Sequence, residues 1–224
     1  MPLSGIDPIS LLVVVLCVAL LPIAIVMTTS FLKISVVLAL LRNAIGVQQV
    51  PPNMALNGLA LILSAYVMAP VLGNVVEQVR QAYPAASVEQ APEQRFDDLV
   101  AAIDRGLGPM RAFMLKHSTP TQRRFFMDNA RSLWGEDAAR ELRDDNLLIL
   151  IPSFMVSQLN AAFQVGFLLY LPFIIIDLIV SNILLAMGMM MVSPVTIAIP
   201  LKLFLFVMVD GWTKLIQGLV LSYV

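Results

Sequence analysis

The sequence predicts an all-α membrane or assembly protein, built of long, bent hydrophobic helical hairpins with an amphipathic-helical polar domain inserted between them. Three observations predict this class. The chain of 224 residues is 59% hydrophobic and 13% charged, against roughly 45–50% and about 25% in soluble globular domains. Its apolar runs reach or exceed the roughly 20 residues that a spanning helix needs, and between Asn146 and Leu201 the only charged side chain is Asp177. Most of the charges lie instead in one central block. The predicted organisation is an N-terminal hydrophobic hairpin at 1–76, a charged helical domain at 77–145, and a C-terminal hydrophobic hairpin with a methionine-rich segment at 146–224.

The same composition excludes several classes of function. A net charge of −1 leaves no basic surface for nucleic acid, and a single histidine, His117, leaves no imidazole cluster for a metal. Cys17 is the only cysteine, so an intrachain disulfide and paired-thiol chemistry are excluded, and it reads as a small buried hydrophobe. There is no glycine-rich phosphate loop, no HExxH, and no serine or cysteine nucleophile placed near a histidine. Asp97-Asp98 and Asp144-Asp145 are adjacent pairs, and adjacent residues on a helix diverge by about 100°, which makes no acid/base pair. Neither an enzyme nor a cofactor site is expected.

In the first hairpin, residues 1–8 carry Asp7 and no basic side chain, unlike the start of a cleaved secretory signal, so the first segment reads as retained. The uncharged run from Ile9 to Leu32 is long enough to span, with Pro22 expected to kink or split it; a bent helix and a hairpin arm both fit. Thr29 and Lys33 share a helical face. An ammonium there faces protein, a water-filled cavity or the membrane surface, or it snorkels from a helix end. Gly46 with positive φ and Pro51-Pro52 predict a turn up to Asn53, which caps a second apolar helix. Asn53, Asn57 and Ser64, with Ala60 between them, form a stripe that predicts a helix contact.

In the central block, Ala82 to Gln94 reads as a loop. Phe96, Leu99, Val100 and Ile103 recur at helical spacing until Gly106, Gly108 and Pro109 stop them. Thr119 as N-cap, Pro120 at the first helical position and Gln122 start a helix that Trp134-Gly135 ends. The mixed charges from Glu136 to Asp145 read as a solvated helical face.

In the last third, Ser153, Ser157, Asn160 and Gln164 fall on one helical stripe, which in hydrocarbon must face either a neighbouring helix or a hydrated lumen. Pro172 is expected to divide the apolar window and Ser193-Pro194 to close it. Asp177 needs a partner there, and Lys33 or Lys202, from this chain or the next subunit, is the natural one. Met187, Met189, Met190 and Met191, interrupted only by Gly188, place flexible polarizable side chains where the chain reverses, as a deformable constriction requires. Asp210 and Lys214 are spaced for an i,i+4 pair, and Trp212 suits an interface. Lys33 and Arg42 beside the first turn and Lys202 beside the second put both turns in the cytoplasm and the central domain across the membrane.

The strings TSFLKISVVLALLRNAIGVQQVPPN at 29–53, GLALIL at 58–63, AFQVGF, PFIIIDL, LLAMGMMMVSP and TIAIPLKLFLFVMVDGW resemble the SctR/FliP family of type III secretion export-gate proteins. The resemblance covers both apolar regions, and FMLKHSTPTQRRFF at 113–126 resembles the injectisome branch, SctR, rather than flagellar FliP. It implies a homopentamer in the bacterial inner membrane, within a secretion basal body. The implied partners are SctS/FliQ-like and SctT/FliR-like small membrane subunits, SctU/FlhB-like and SctV/FlhA-like export proteins, and unfolded secretion substrates entering through the gate. Met187, Met189, Met190 and Met191 would then belong to a methionine gasket; Lys33, Asn160, Gln164, Asp177 and Lys202 read, from the residues themselves, as intramembrane polar or subunit-packing positions. The resemblance also implies hairpins packed in a conical assembly largely above the membrane plane. Two other readings stand beside it: an ion or solute transporter using Asp177 and Lys33, which favours internal repeats that the chain does not display, and a scaffold without a conduit.

Overall fold

Helix α1 (Pro8–Thr28) and helix α2 (Phe31–Ile45) form one bent arm of a computed structural model that describes residues 8–47, 50–82, 101–102, 104–135, 142–189 and 191–224. The arm turns by 80° between Pro22–Thr28 and α2. The break falls at Thr29-Ser30 rather than at Pro22, which the helix passes through. Hydroxyls rather than the proline mark the site: Thr28 Oγ1 donates to the Ala24 carbonyl at 2.7 Å and Thr29 Oγ1 to the Ile25 carbonyl at 2.6 Å. Such back-bonding competes for helix carbonyls and bends the chain.

Helix α2 is the hub. Ile34, Val37, Leu38, Leu41, Ala44 and Ile45 are buried on it at helical spacing. Gly46 then stops it with φ 84°, its amide donating to the carbonyls of Arg42 and Asn43. Helix α3 (Asn53–Ala82) returns along α2 and continues through the composition change at Glu77. Its buried stripe is Leu56, Ala60, Ser64 and Met68. The predicted polar stripe therefore contributes Ser64 and the intervening Ala60, while Asn57 is exposed. Asn53 does not act as a free cap, because its side-chain oxygen accepts from the Arg42 guanidinium and ties the turn shut.

Helix α4 (Gly108–Lys116) and helix α5 (Pro120–Trp134) carry most of the described part of the central block. The start at Thr119-Pro120 and the end at Trp134-Gly135 are as predicted, but Thr119 makes no side-chain cap and its hydroxyl lies 3.3 Å from that of Ser157. Readings for residues 1–7, the side chain of Cys17, Gln48-Gln49, the loop and helix start across 83–100, Ile103 and the run 136–141 lie outside what is described.

Helix α6 (Leu147–Ala186) is 40 residues of unbroken helix, about 60 Å at 1.5 Å per residue. It passes through Pro152 and Pro172, so Pro172 does not divide the apolar window. A proline removes one backbone bond, and packing of α6 on α2 through Ala162 and Phe173 holds the helix across it. Helix α7 (Pro194–Met208) descends beside α6, and helix α8 (Gly211–Leu221) continues it after a 62° bend. At that bend Asp210 adopts φ 56° and its carboxylate accepts from Thr213 Oγ1 at 3.0 Å. The carboxylate thus serves the turn, and no Asp210–Lys214 ion pair occurs among the described residues.

One core joins α2, α3, α6, α7 and α8 around Leu38, Leu41, Ala162 and Phe206. A second, of Met68, Phe113, Met114, Leu150, Phe154 and Tyr223, seats α4. A small third, Val180, Leu184 and Ala198, holds together the far end of the α6–α7 hairpin. No strand occurs among the described residues. Two helices are long and apolar enough to cross a membrane, or up to four if each bent pair is one span.

Candidate functional site

The methionine segment forms the tip of the α6–α7 hairpin. About 14 Å of helix separates Asp177, level with the end of α2, from the last residue of α6, so the tip projects beyond the turn that joins α2 to α3. The chain leaves α6 by a specific cap. The Gly188 amide donates to the Leu185 carbonyl and the Met189 amide to the Leu184 carbonyl, each at 3.0 Å, with Gly188 at φ 74°. This is the paired bonding of a Schellman ending, whose left-handed position favours glycine. Gly188 interrupts the methionines because the reversal requires it. Met187 and Met191 are 66% and 101% exposed, and Met189 is exposed beside them; Met190 lies outside the described residues.

Below the tip, Lys202 Nζ donates to Asp177 Oδ2 at 2.7 Å and to the Ala44 carbonyl at 3.3 Å. The ammonium is buried and the carboxylate side chain is 45% exposed. Of the partners the sequence offered, Lys202 of the same chain holds Asp177.

Lys33 lies at the opposite end of α2. Its ammonium donates to Ser222 Oγ at 2.7 Å and stands 4.7 Å above the Tyr223 ring. It does not flank the first turn, and both Lys33 and Lys202 are buried. Of the three cations used to place the turns, Arg42 alone therefore remains at a turn, where it bonds Asn53.

The predicted polar stripe of α6 divides in two. Ser153 and Ser157 are buried; Ser157 Oγ donates to the Ser153 carbonyl at 2.7 Å and accepts from the Thr119 amide at 2.9 Å, so this half faces a neighbouring segment of the same chain. Asn160 and Gln164 are exposed. Sequence reasoning missed Gln158, one residue off the stripe. Gln158 Nε2 donates to the His117 carbonyl at 2.8 Å, and Gln158 Oε1 accepts from Tyr223 Oη at 2.6 Å. A glutamine inside an apolar helix was the available signal. A second missed group is the hydroxyl knot of Thr29, Ser30 and Ser64, with Ser30 Oγ donating to Ser64 Oγ at 3.1 Å and Ser64 Oγ to Thr29 Oγ1 at 3.3 Å.

The arrangement is a rigid, internally bonded helical body with a flexible thioether tip and extensive uncovered apolar faces. No group of three or more metal-ligating side chains occurs among the described residues.

A family model described as the FliP family matches residues 13–219. The chain is 52% identical to the Yop proteins translocation protein R of Yersinia pestis, over 97% of each chain. It is 46% identical to the hypersensitivity response secretion protein HrcR of Ralstonia nicotianae over 96% of each chain, and 46% identical to the virulence protein YscR of Salmonella typhimurium over 97% of each chain.

Proposed function

The chain belongs to the SctR/FliP family, on its SctR branch, and from that premise we propose that it is a pore-forming subunit of a type III secretion export gate, through which unfolded substrates leave the bacterial cytoplasm. The names of its relatives, translocation and secretion proteins, support a place in the export apparatus. The observation that carries the pore reading is the exposed methionine tip. Met187, Met189 and Met191 project from a hairpin whose own small core, Val180, Leu184 and Ala198, does not need them. Long, unbranched, polarizable side chains at such a tip deform around different passing side chains and close on one another when nothing passes.

In this reading Met187, Met189, Met190 and Met191 form a gasket where several copies converge, five in the homopentamer. The exposed Asn160 and Gln164 and the outward apolar faces of α6 and α7 pack against neighbouring copies and against the small SctS-like and SctT-like subunits, in or above the inner membrane, with SctU-like and SctV-like proteins nearby. No catalytic step is required of the chain. The transporter reading joined Asp177 and Lys33 at one site, whereas the fold engages Asp177 with Lys202 and Lys33 with Ser222. The test is to delete Met189 to Met191 and measure small-ion leak of cells with the complex shown to be assembled. Leak rises if the tip is the seal; unchanged leak in an intact complex overturns the gasket.

A further inference from the structure

Between α2, α6, α7 and α8 the protein forms a half-open cavity of about 390 Å³, lined by Leu169, Phe173, Leu205 and Leu219 among other apolar residues, with Lys33 and Lys214 as its charged members. Its volume falls in the roughly 300–1,000 Å³ range of small-molecule sites. Every charge on its wall is positive. Lys33 is 7% exposed, and its partners, the Ser222 hydroxyl and the face of Tyr223, are neutral. Lys202, equally buried, has the Asp177 carboxylate, while no carboxylate lies within ion-pair distance of Lys33 among the described residues. A buried ammonium without a counter-charge is costly in a protein interior and more so in a membrane. The cavity therefore combines a long apolar wall with an unmet need for an anion.

We propose that this cavity binds an anionic phospholipid, with an acyl chain along Leu169, Phe173 and Leu205 and its phosphate at Lys33 and Lys214. A peptide segment from a partner protein fits less well, because its backbone amides would enter a space with almost nothing to bond them. Basic pockets between membrane helices take anionic headgroups for the same reason of charge. The proposal is independent of the pore reading, since it concerns the opposite end of the C-terminal hairpin from the methionine tip.

The test uses the complex purified in mild detergent and exchanged into nanodiscs of phosphatidylglycerol or of phosphatidylcholine, with bound lipid counted by native mass spectrometry after release. Phosphatidylglycerol is retained and phosphatidylcholine is not, and Lys33→Gln weakens retention about tenfold, the worth of one charge-assisted hydrogen bond. Gly218 lines the cavity, and a Cβ there meets nothing within 4 Å. Gly218→Leu, whose Cβ has room, is therefore expected to put a side chain into the cavity and abolish retention, which decides the matter even where Lys33→Gln fails to assemble. Equal retention of the two lipids, or retention unchanged in Gly218→Leu, overturns the proposal, as does a photoreactive group at Leu169 that captures a protein instead of a lipid.

Discussion

Asp177 and Lys202 are unequal partners, and their inequality predicts what each substitution does. The Lys202 side chain is 7% exposed and that of Asp177 is 45% exposed. Asp177→Asn leaves a buried ammonium with neutral oxygen acceptors and no counter-charge, at about 2 kcal/mol, less than the roughly 3–5 kcal/mol of a pair buried on both sides. Asp177→Leu combined with Lys202→Met recovers most of that loss, because an apolar pair needs no solvation; denaturant unfolding of the solubilised single and double variants measures the difference. His117 supplies a second residue-scale prediction. It packs against Phe113 and Tyr223, and burial, reinforced by the charges of Lys116 and Lys33, lowers its pKa to about 4. The unfolded chain binds this proton near pH 6.5 and the folded chain only near pH 4. The His117 contribution is complete above about pH 6.5, declines as pH falls to about 4 and changes no further below it. Thermal midpoints of the wild type should fall relative to those of His117→Phe across that window, and parallel curves would show that His117 is not the titrating group.

At the scale of the element, two glycines decide how helices end and how closely they approach. Gly188 holds the left-handed position after α6, so Gly188→Ala strains the turn by about 1 kcal/mol and speeds hydrogen exchange at the Met189 amide about fivefold. Gly166 lies where α6 crosses α2, and a Cβ there would stand 2.2 Å from Leu40 Cδ1 and 3.2 Å from Leu40 Cβ. Rotating the Leu40 side chain relieves the first contact but not the second. Gly166→Ala is therefore expected to cost about 1–3 kcal/mol, and adding Leu40→Ala to recover part of it. A lowered denaturation midpoint that Leu40→Ala does not raise would place the strain elsewhere.

At the scale of the molecule, the outward faces are the dominant fact. Phe163, Phe167, Leu178, Phe204 and Val207 are exposed along α6 and α7, and large apolar side chains exposed in such number mark surfaces that another apolar phase covers. The chain extracted gently in detergent is expected to run as a discrete oligomer with two small helical membrane proteins, measured by mass and by identification of the co-purifying chains. A monomer or dimer that binds a small ion would remove the export-gate reading. The buried polar groups point the other way: Lys33 meets Ser222 and Tyr223, Gln158 meets Tyr223 and His117, and Lys202 meets Asp177. Apart from the uncompensated charge of Lys33, these groups are satisfied within one chain, which leaves the apolar faces and the exposed Asn160 and Gln164 as the surfaces that the proposed assembly would use.

Composition and spacing alone determined the helical class, the stops at Gly46, Trp134 and Ser193-Pro194 and the methionine reversal, whereas the family rested on the resemblance of whole strings. Each depends on local chemistry: the length of an apolar run, the left-handed freedom of glycine, the missing amide of proline. Tertiary structure decided the rest. It carried α6 through Pro172, because packing against α2 outweighs one lost backbone bond, and it moved the first bend from Pro22 to Thr29-Ser30. It chose Lys202 over Lys33 for Asp177, divided the α6 stripe into a buried and an exposed half, and brought Gln158, Tyr223 and Lys33 together from three distant segments. Helical spacing states which side chains share a face; which neighbour that face meets depends on residues far along the chain, and only the packed fold brings them within bonding distance.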